Sequence, residues 1–184
     1  MIAKLINNAF IKFVVLFIGI YFVLYYGVQF ITGLAVAGGM YSPFVQKYFD
    51  MASFMRTFLI LSSKYLLHFF NFSTTRIDEY TLRSINGNGI RIVYACLGFA
   101  VLCFWAALII ATADKFWHKV KWFFVGFAAI CFINIVRISL VLVAVNKGWQ
   151  YPFNLNHHVW FNIFAYSIIF ILMYFYNRNI SIKK

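Results

Sequence analysis

Three kinds of side chain that can carry out acyl transfer lie in or beside strongly apolar stretches of this chain. Cys96 is a potential nucleophile, Arg137 is a cation within a long apolar stretch, and His157 and His158 are adjacent imidazoles just before another such stretch. A thiolate attacks a carbonyl carbon, an imidazole donates a proton to the leaving amine, and a cation stabilises the oxyanion of the tetrahedral intermediate. These residue types predict acyl-transfer chemistry if the fold brings them together.

Arg137 is the costliest of these residues to place in a membrane. Asn134 precedes it by three residues and so lies on the same helix face. An arginine at the centre of a span costs roughly 2.5–3.5 kcal/mol, and none of the predicted spans contains an acid. We expect the guanidinium to be compensated by a thiolate, an anionic substrate group or water; hydrogen bonding to carbonyls of another helix is the structural alternative.

Cys96 is predicted to lie in the first turns of a span, where the helix N-terminus favours an ionised thiol. Gly98 follows it and permits a close approach of backbone. The alternative is that Cys96 is simply a small buried hydrophobic residue. Cys103 and Cys131 lie deeper in apolar stretches, and we expect both of them to serve packing.

The two adjacent histidines differ in direction by about 100° on a helix, so at most one can face the centre of a bundle. Their alternative role is to anchor the helix among lipid headgroups. His68 and His118 are distant in sequence, and no acid lies close to the histidine pair. We therefore expect no metal site, and nothing in the sequence calls for a cofactor.

The composition indicates an integral membrane protein that forms a single domain over residues 1–184. Hydrophobic residues make up 64% of the chain and charged residues 11%, against roughly 45–50% and 25% in soluble domains. This excludes a disordered chain, a coiled coil and a disulfide-framework domain. The net charge of +12 fits basic residues that flank membrane spans and contact anionic lipid, and we expect no nucleic-acid partner.

The pattern predicts an all-α fold with four transmembrane helices. They cover about residues 10–32, 92–112, 122–145 and 159–176. A fifth stretch, about residues 51–72, carries Arg56, Ser63, Lys64 and His68 largely on one side. An interfacial amphipathic helix and a span that lines a wet cleft both fit this pattern.

Charge predicts the topology, because basic loops remain in the cytoplasm. Lys115, Lys119 and Lys121 lie in one loop, and both termini are basic. With both termini inside, the number of spans is even. We therefore expect four spans in the cytoplasmic membrane and an amphipathic helix on its outer surface. Residues 73–91 form the most polar segment, and apolar residues around Asn86 and Gly87 predict a short polar hairpin.

The order and spacing of these residues resemble the exosortase/archaeosortase family of membrane cysteine transpeptidases, and the length is similar to the compact exosortase F type. The resemblance covers about residues 91–176. Leu97 and Asn162 stand where the family has smaller residues. The matching segments are Ala95-Cys96-Leu97-Gly98, Asn134-Ile135-Val136-Arg137 and His158-Val159-Trp160-Phe161-Asn162.

The resemblance implies a cysteine protease or transpeptidase that cleaves the C-terminal sorting signal of surface-destined proteins at the outer membrane face. Its substrates would carry a short motif, a transmembrane helix and a basic tail. Cys96 would be the nucleophile, Arg137 would stabilise the thiolate or oxyanion, and His158 would be the general acid, with His157 in reserve. Asn134 and Gly98 would support the site, and the membrane would be the inner membrane of a bacterium. Apart from the resemblance, we expect the hairpin near Asn86 to help hold the bound motif by adding a strand.

Two other functions fit the sequence. A membrane thiol oxidoreductase would need a close cysteine pair, whereas Cys96 and Cys103 would lie about 10 Å apart along a helix. In a non-enzymatic assembly or transport component, Arg137 would bind an anion or pack.

Overall fold

The computed structural model describes residues 9–36, 40–149 and 157–181, and most of them are helical. Two helices, Phe10–Ala35 and Phe116–Lys147, are long and apolar enough to cross a membrane. Phe99–Ala111 and Tyr166–Tyr176 are shorter apolar stretches. The helices are α1 (Ala9–Ala35), α2 (Pro43–Phe49), α3 (Met51–Phe69), α4 (Phe99–Ala111), α5 (Phe116–Lys147) and α6 (His157–Ser181).

The second predicted span begins later than its apolar pattern suggests. A helix was expected from about residue 92, but the chain forms a 3₁₀ turn at Tyr94–Cys96 and α4 begins only at Phe99. The reason is local, because Gly98 has a left-handed backbone with φ +77° and interrupts the helical hydrogen bonding. The prediction that Cys96 lies inside the helix is therefore wrong, and the cysteine precedes it.

A three-stranded antiparallel sheet confirms the predicted hairpin and extends it. Strands β2 (Thr81–Ser84) and β3 (Gly89–Arg91) pair around the Asn-Gly segment, and β1 (Thr74–Arg76), which the sequence pattern does not predict, pairs with the other side of β2. The sheet lies beside the last turns of α5. We call this side of the helix bundle the sheet end, and the opposite side the Asp114 end.

Asn146 attaches the hairpin to α5. Its side-chain Oδ1 accepts a hydrogen bond from the Asn88 N–H at 2.7 Å, and its Nδ2 donates to the Asn88 carbonyl at 3.1 Å. The contact requires a glycine at position 87, because a Cβ there would lie 2.0 Å from Asn146 Oδ1. The sheet is thus held in a defined position on the helix bundle.

Helix α3 packs along α5. The Ser63 hydroxyl donates to the Ile135 carbonyl at 3.4 Å, and the first turn of α3 shares a cavity of about 800 Å³ with Phe123 and Phe127 of α5. Arg56 and Ser63 are buried, whereas Lys64 and His68 are exposed. This lengthwise packing favours a helix that lines the bundle over one that lies flat on its outer surface.

The Asp114 end is held by polar contacts among aromatic rings. The Trp122 Nε1–H donates to His118 Nε2 at 3.0 Å, and His118 Nδ1 contacts the Asp114 carboxylate. Burial raises the pKa of Asp114, but hydrogen bonds from His118 and the Lys115 amide outweigh it and hold that pKa below its ordinary value. The His118 ring also stacks on Tyr176 of α6 at 5.3 Å between centroids, which joins α6 to α5.

Candidate functional site

Cys96 lies at the end of the 3₁₀ turn that connects the sheet to α4. Its amide donates to the Val93 carbonyl at 2.8 Å, and the Leu97 amide donates to the Tyr94 carbonyl at 3.0 Å. These bonds fix the backbone on both sides of the thiol. The residue is 8% exposed and packs at the edge of an apolar cluster that includes Leu59, Ile92 and Ile138.

The structure brings Arg137 to Cys96 although 41 residues separate them in the chain. The guanidinium Nη2 lies 3.5 Å from the Cys96 Sγ. Arg137 is 8% exposed, so little water screens this contact. A cation at this distance stabilises negative charge on the sulfur and on an oxyanion that forms beside it.

Asn134 links the same two residues through its side-chain amide. Its Nδ2 donates to the Cys96 carbonyl at 2.9 Å, and its Oδ1 accepts from Arg137 Nη1 at 3.4 Å. Asn134 is 1% exposed. One buried amide thus sets both the backbone of the thiol and the direction of the guanidinium, because Asn134 and Arg137 lie one helical turn apart on α5.

Gly98 makes room for this amide. A Cβ at position 98 would lie 3.3 Å from Asn134 Nδ2, and the φ of +77° disfavours any residue with a side chain. The close backbone approach expected at Gly98 is therefore present. Its partner is Asn134 within the same chain.

Replacing Gly98 by alanine is expected to lower the free energy of unfolding by about 1–2 kcal/mol, the usual cost of a left-handed backbone for a residue with a Cβ. Thermal unfolding in detergent micelles measures the change. Gly19→Ala is the matched control, because a Cβ at position 19 meets nothing within 4 Å and alanine favours a helix. Equal stability of the two variants would contradict the strain at Gly98.

The two histidines begin helix α6, which starts at His157. The side chains of His157 and His158 lie outside the described residues, so their expected approach to the thiol stays a prediction. The helix itself is placed by Tyr166, whose ring lies 5.9 Å from the ring of Phe104 on α4. Helix α6 runs toward the Asp114 end, where its Tyr176 ring stacks on His118. His158 precedes Tyr166 by eight residues, and Cys96 precedes Phe104 by eight. The start of α6 and the thiol therefore both lie on the sheet-end side of the contact between Tyr166 and Phe104.

A pair of arginines flanks one aromatic ring beside the site, an arrangement that sequence patterns did not indicate. The guanidinium carbon of Arg56 lies 4.1 Å from the centroid of the Tyr80 ring, and that of Arg91 lies 5.1 Å from it. The Tyr80 carbonyl accepts from the Ile92 amide at 2.7 Å. The only signal in the sequence was Arg56 itself, a cation in an apolar stretch, because its aromatic partner belongs to a distant loop.

The other two cysteines are buried among apolar side chains. Cys103 and Cys131 are each 6% exposed, and Cys103 borders the cavity beside α3. All three cysteines are unpaired thiols. Within the described parts of the chain, no three His, Cys, Asp or Glu side chains converge in a way that could hold a metal ion.

Comparisons with known proteins add no relative to this picture. No protein-family model matches the chain, and neither a curated protein nor a solved structure matches it.

Proposed function

We propose that this protein is a membrane-embedded cysteine protease or transpeptidase that cleaves a C-terminal sorting signal from surface-destined proteins. The observation that carries the proposal is the 3.5 Å contact between the Cys96 Sγ and the Arg137 guanidinium. The resemblance of the surrounding motifs to the exosortase/archaeosortase family supports it.

The geometry suits acyl transfer through a thioester. The Cys96 thiolate attacks the scissile carbonyl, a C–S bond forms, and the carbonyl oxygen becomes an oxyanion that Arg137 stabilises. The C–N bond then breaks, and the leaving amine takes a proton, which we assign to His158. Water or an amine next attacks the thioester and gives a proton back to His158. The C–S bond then breaks, which releases the product and restores the thiolate.

Asn134 has a positioning role in this mechanism. Its amide spans the Cys96 carbonyl and the Arg137 guanidinium. The two reacting groups therefore arrive preorganised, and little reorganisation is needed when charge develops in the transition state.

The proposal places four spans, α1, α4, α5 and α6, in the cytoplasmic membrane, with the sheet end outside. Helices α2 and α3 keep the number of spans even, because the segment that they form begins and ends on the same side of the membrane. The Ser42 amide donates to the Leu34 carbonyl near the end of α1, and α3 leads directly to β1 of the sheet. Lys115, Lys119 and Lys121 then lie at the cytoplasmic Asp114 end.

A topology reporter fused after Thr75 is expected to lie outside the cytoplasm, because Thr75 belongs to the sheet. Paired phosphatase and fluorescent-protein fusions measure this, since the first is active only outside and the second only inside. A fusion after Lys184 is the control and is expected inside. A cytoplasmic signal from the Thr75 fusion would contradict the four-span arrangement.

A survey of membrane proteins in the host tests the function itself. Cells that carry Cys96→Ala are expected to accumulate surface proteins that retain a C-terminal helix and basic tail, whereas cells with the native protein show the shortened forms. Mass spectrometry of C-terminal peptides distinguishes the two. Identical C-terminal peptides in both strains would refute the proposed function.

A further inference from the structure

Strand β3 has one strand neighbour among the described residues. The strand order is β1-β2-β3, so the outer side of β3 forms an edge of the sheet. Gly89 and Arg91 on this strand are both exposed. The edge therefore carries backbone groups that a further strand could reach.

The hydrogen-bond pattern shows which groups these are. The Ile92 amide donates to the Tyr80 carbonyl at 2.7 Å, and the Asn88 carbonyl accepts from the Ser84 amide at 3.2 Å. Residues 88, 90 and 92 thus face β2. Because residues alternate in an antiparallel pair, the N–H and C=O groups of Gly89 and Arg91 point to the open edge.

The opposite edge of the sheet is less accessible. The Ile77 amide donates to the Thr81 carbonyl, and the Ser73 carbonyl accepts from the Ile85 amide, so Thr74 is an outward-facing residue of β1. Thr74 is 8% exposed, and β1 lies against α3. The outward-facing residues of β3 are thus more exposed than those of β1.

A charged side chain often blocks an edge strand, but that of Arg91 is directed elsewhere. Its guanidinium lies over the ring of Tyr80, 5.1 Å from the ring centroid. Gly89 has no side chain. The side chains of Gly89 and Arg91 therefore leave the outward backbone groups of β3 unblocked.

The edge also leads to the thiol. From Arg91 the chain passes through Ile92 and Val93 into the turn that ends at Cys96. Five residues span at most roughly 17 Å. Asn146 and the buried Leu82 and Ile92 hold the sheet against the helices, so the distance from edge to thiol is defined before anything binds.

We propose that the β3 edge binds the extended segment of the substrate polypeptide next to its transmembrane helix, as a fourth strand that delivers the scissile bond to Cys96. The inference rests on the proposed function and specifies how that site recognises its substrate. Recognition uses the backbone groups of Gly89 and Arg91, so it selects an extended conformation before any particular side chain.

Arg91→Pro and Arg91→Ala separate backbone recognition from side-chain recognition. Proline removes an outward N–H that the sheet does not use, and edge strands tolerate it there, whereas alanine removes only the side chain. We expect Arg91→Pro to slow processing of the precursor that accumulates in Cys96→Ala cells by about tenfold, the cost of one or two lost hydrogen bonds. Because Arg91→Ala keeps the outward N–H, we expect it to process the precursor about tenfold faster than Arg91→Pro does.

Equal processing rates for the two variants, or a native rate for Arg91→Pro, would overturn the inference. It would also be overturned if Arg91→Pro slowed processing by separating two copies of this chain that pair through the β3 edge. Cleavage that depends on Cys96 but not on this edge refutes the inference alone, whereas cleavage independent of Cys96 refutes the proposed function. Thermal unfolding shows whether Arg91→Pro folds.

A crosslinking experiment keeps the test independent of the folding of Arg91→Pro. The protein carries Arg91→Cys together with Cys96→Ala. Each of a series of precursor variants carries one cysteine, placed at consecutive positions along its extended segment. Disulfides are expected at alternate positions, which is the period of a paired strand. Crosslinks without that alternation would contradict strand pairing.

Discussion

Replacing Cys96 by serine is expected to lower the rate of precursor processing on the order of 10³-fold or more, because a serine hydroxyl is a much weaker nucleophile than a thiol. The substitution is nearly isosteric, and the Asn134 contact to the backbone carbonyl of residue 96 needs no sulfur. The fold should therefore survive. Purified protein in liposomes, supplied with the precursor from Cys96→Ala cells, measures the rate of cleavage.

Cys103→Ser and Cys131→Ser are the matched controls, since both thiols are buried as Cys96 is but no hydrogen bond joins either to Arg137 in the structure. We expect their processing rates to remain within about threefold of the native rate, with some loss of stability from burying a hydroxyl. Loss of activity in Cys103→Ser together with a native rate for Arg137→Ala would instead favour a thiol oxidoreductase.

Replacing Arg137 by alanine is expected to lower the processing rate about 10²–10³-fold, the range seen when one oxyanion-stabilising donor is removed. Two contacts are lost together, one to the Cys96 sulfur and one to Asn134 Oδ1. Arg137→Lys keeps the charge but lacks the planar fork that reaches both partners, so we expect it to restore only a small part of the rate.

A second measurement shows that Arg137 acts through the thiol. Alkylation of Cys96 by a small maleimide is expected to slow in Arg137→Ala, because no cation then lies beside the sulfur to stabilise negative charge on it as it reacts. Arg178→Lys, at an exposed position on α6, is the control and should leave both rates unchanged. An Arg137→Ala protein that is alkylated and processes precursor at the native rate would remove the basis of the proposed mechanism.

Much of the helical architecture follows from apolar length. The runs around Phe10–Ala35 and Phe116–Lys147 were expected as spans, because a backbone in an apolar environment must satisfy its own hydrogen bonds and helices do so locally. The hairpin around Asn86 and Gly87 was predictable for a similar reason, since its turn and its two strands are adjacent in the chain. The start of α4 was not predictable from hydropathy, because Gly98 breaks the helix without any change in apolar character.

The residues of the site were identifiable because polar groups in an apolar stretch are costly. Arg137, Asn134 and Cys96 stand out on that ground alone. Hydropathy does not predict the contact between Arg137 and Cys96, because that contact joins α5 to a turn 41 residues earlier in the chain. The Arg56–Tyr80–Arg91 arrangement is missed for the same reason, since Arg56 belongs to α3 and Tyr80 to a loop of the sheet.

The amino-acid sequence by itself determined that this chain forms long apolar helices, which polar residues interrupt at a few positions, and that a thiol, a guanidinium and imidazoles are among those polar residues. These are local properties, because each depends on a residue and its near neighbours along the chain. Tertiary structure alone decided that the guanidinium of residue 137 lies against the sulfur of residue 96 and that β3, with two exposed residues, is an edge strand of the sheet in the described part of the chain. Such contacts depend on how helices and sheet pack, and packing is a property of the whole chain.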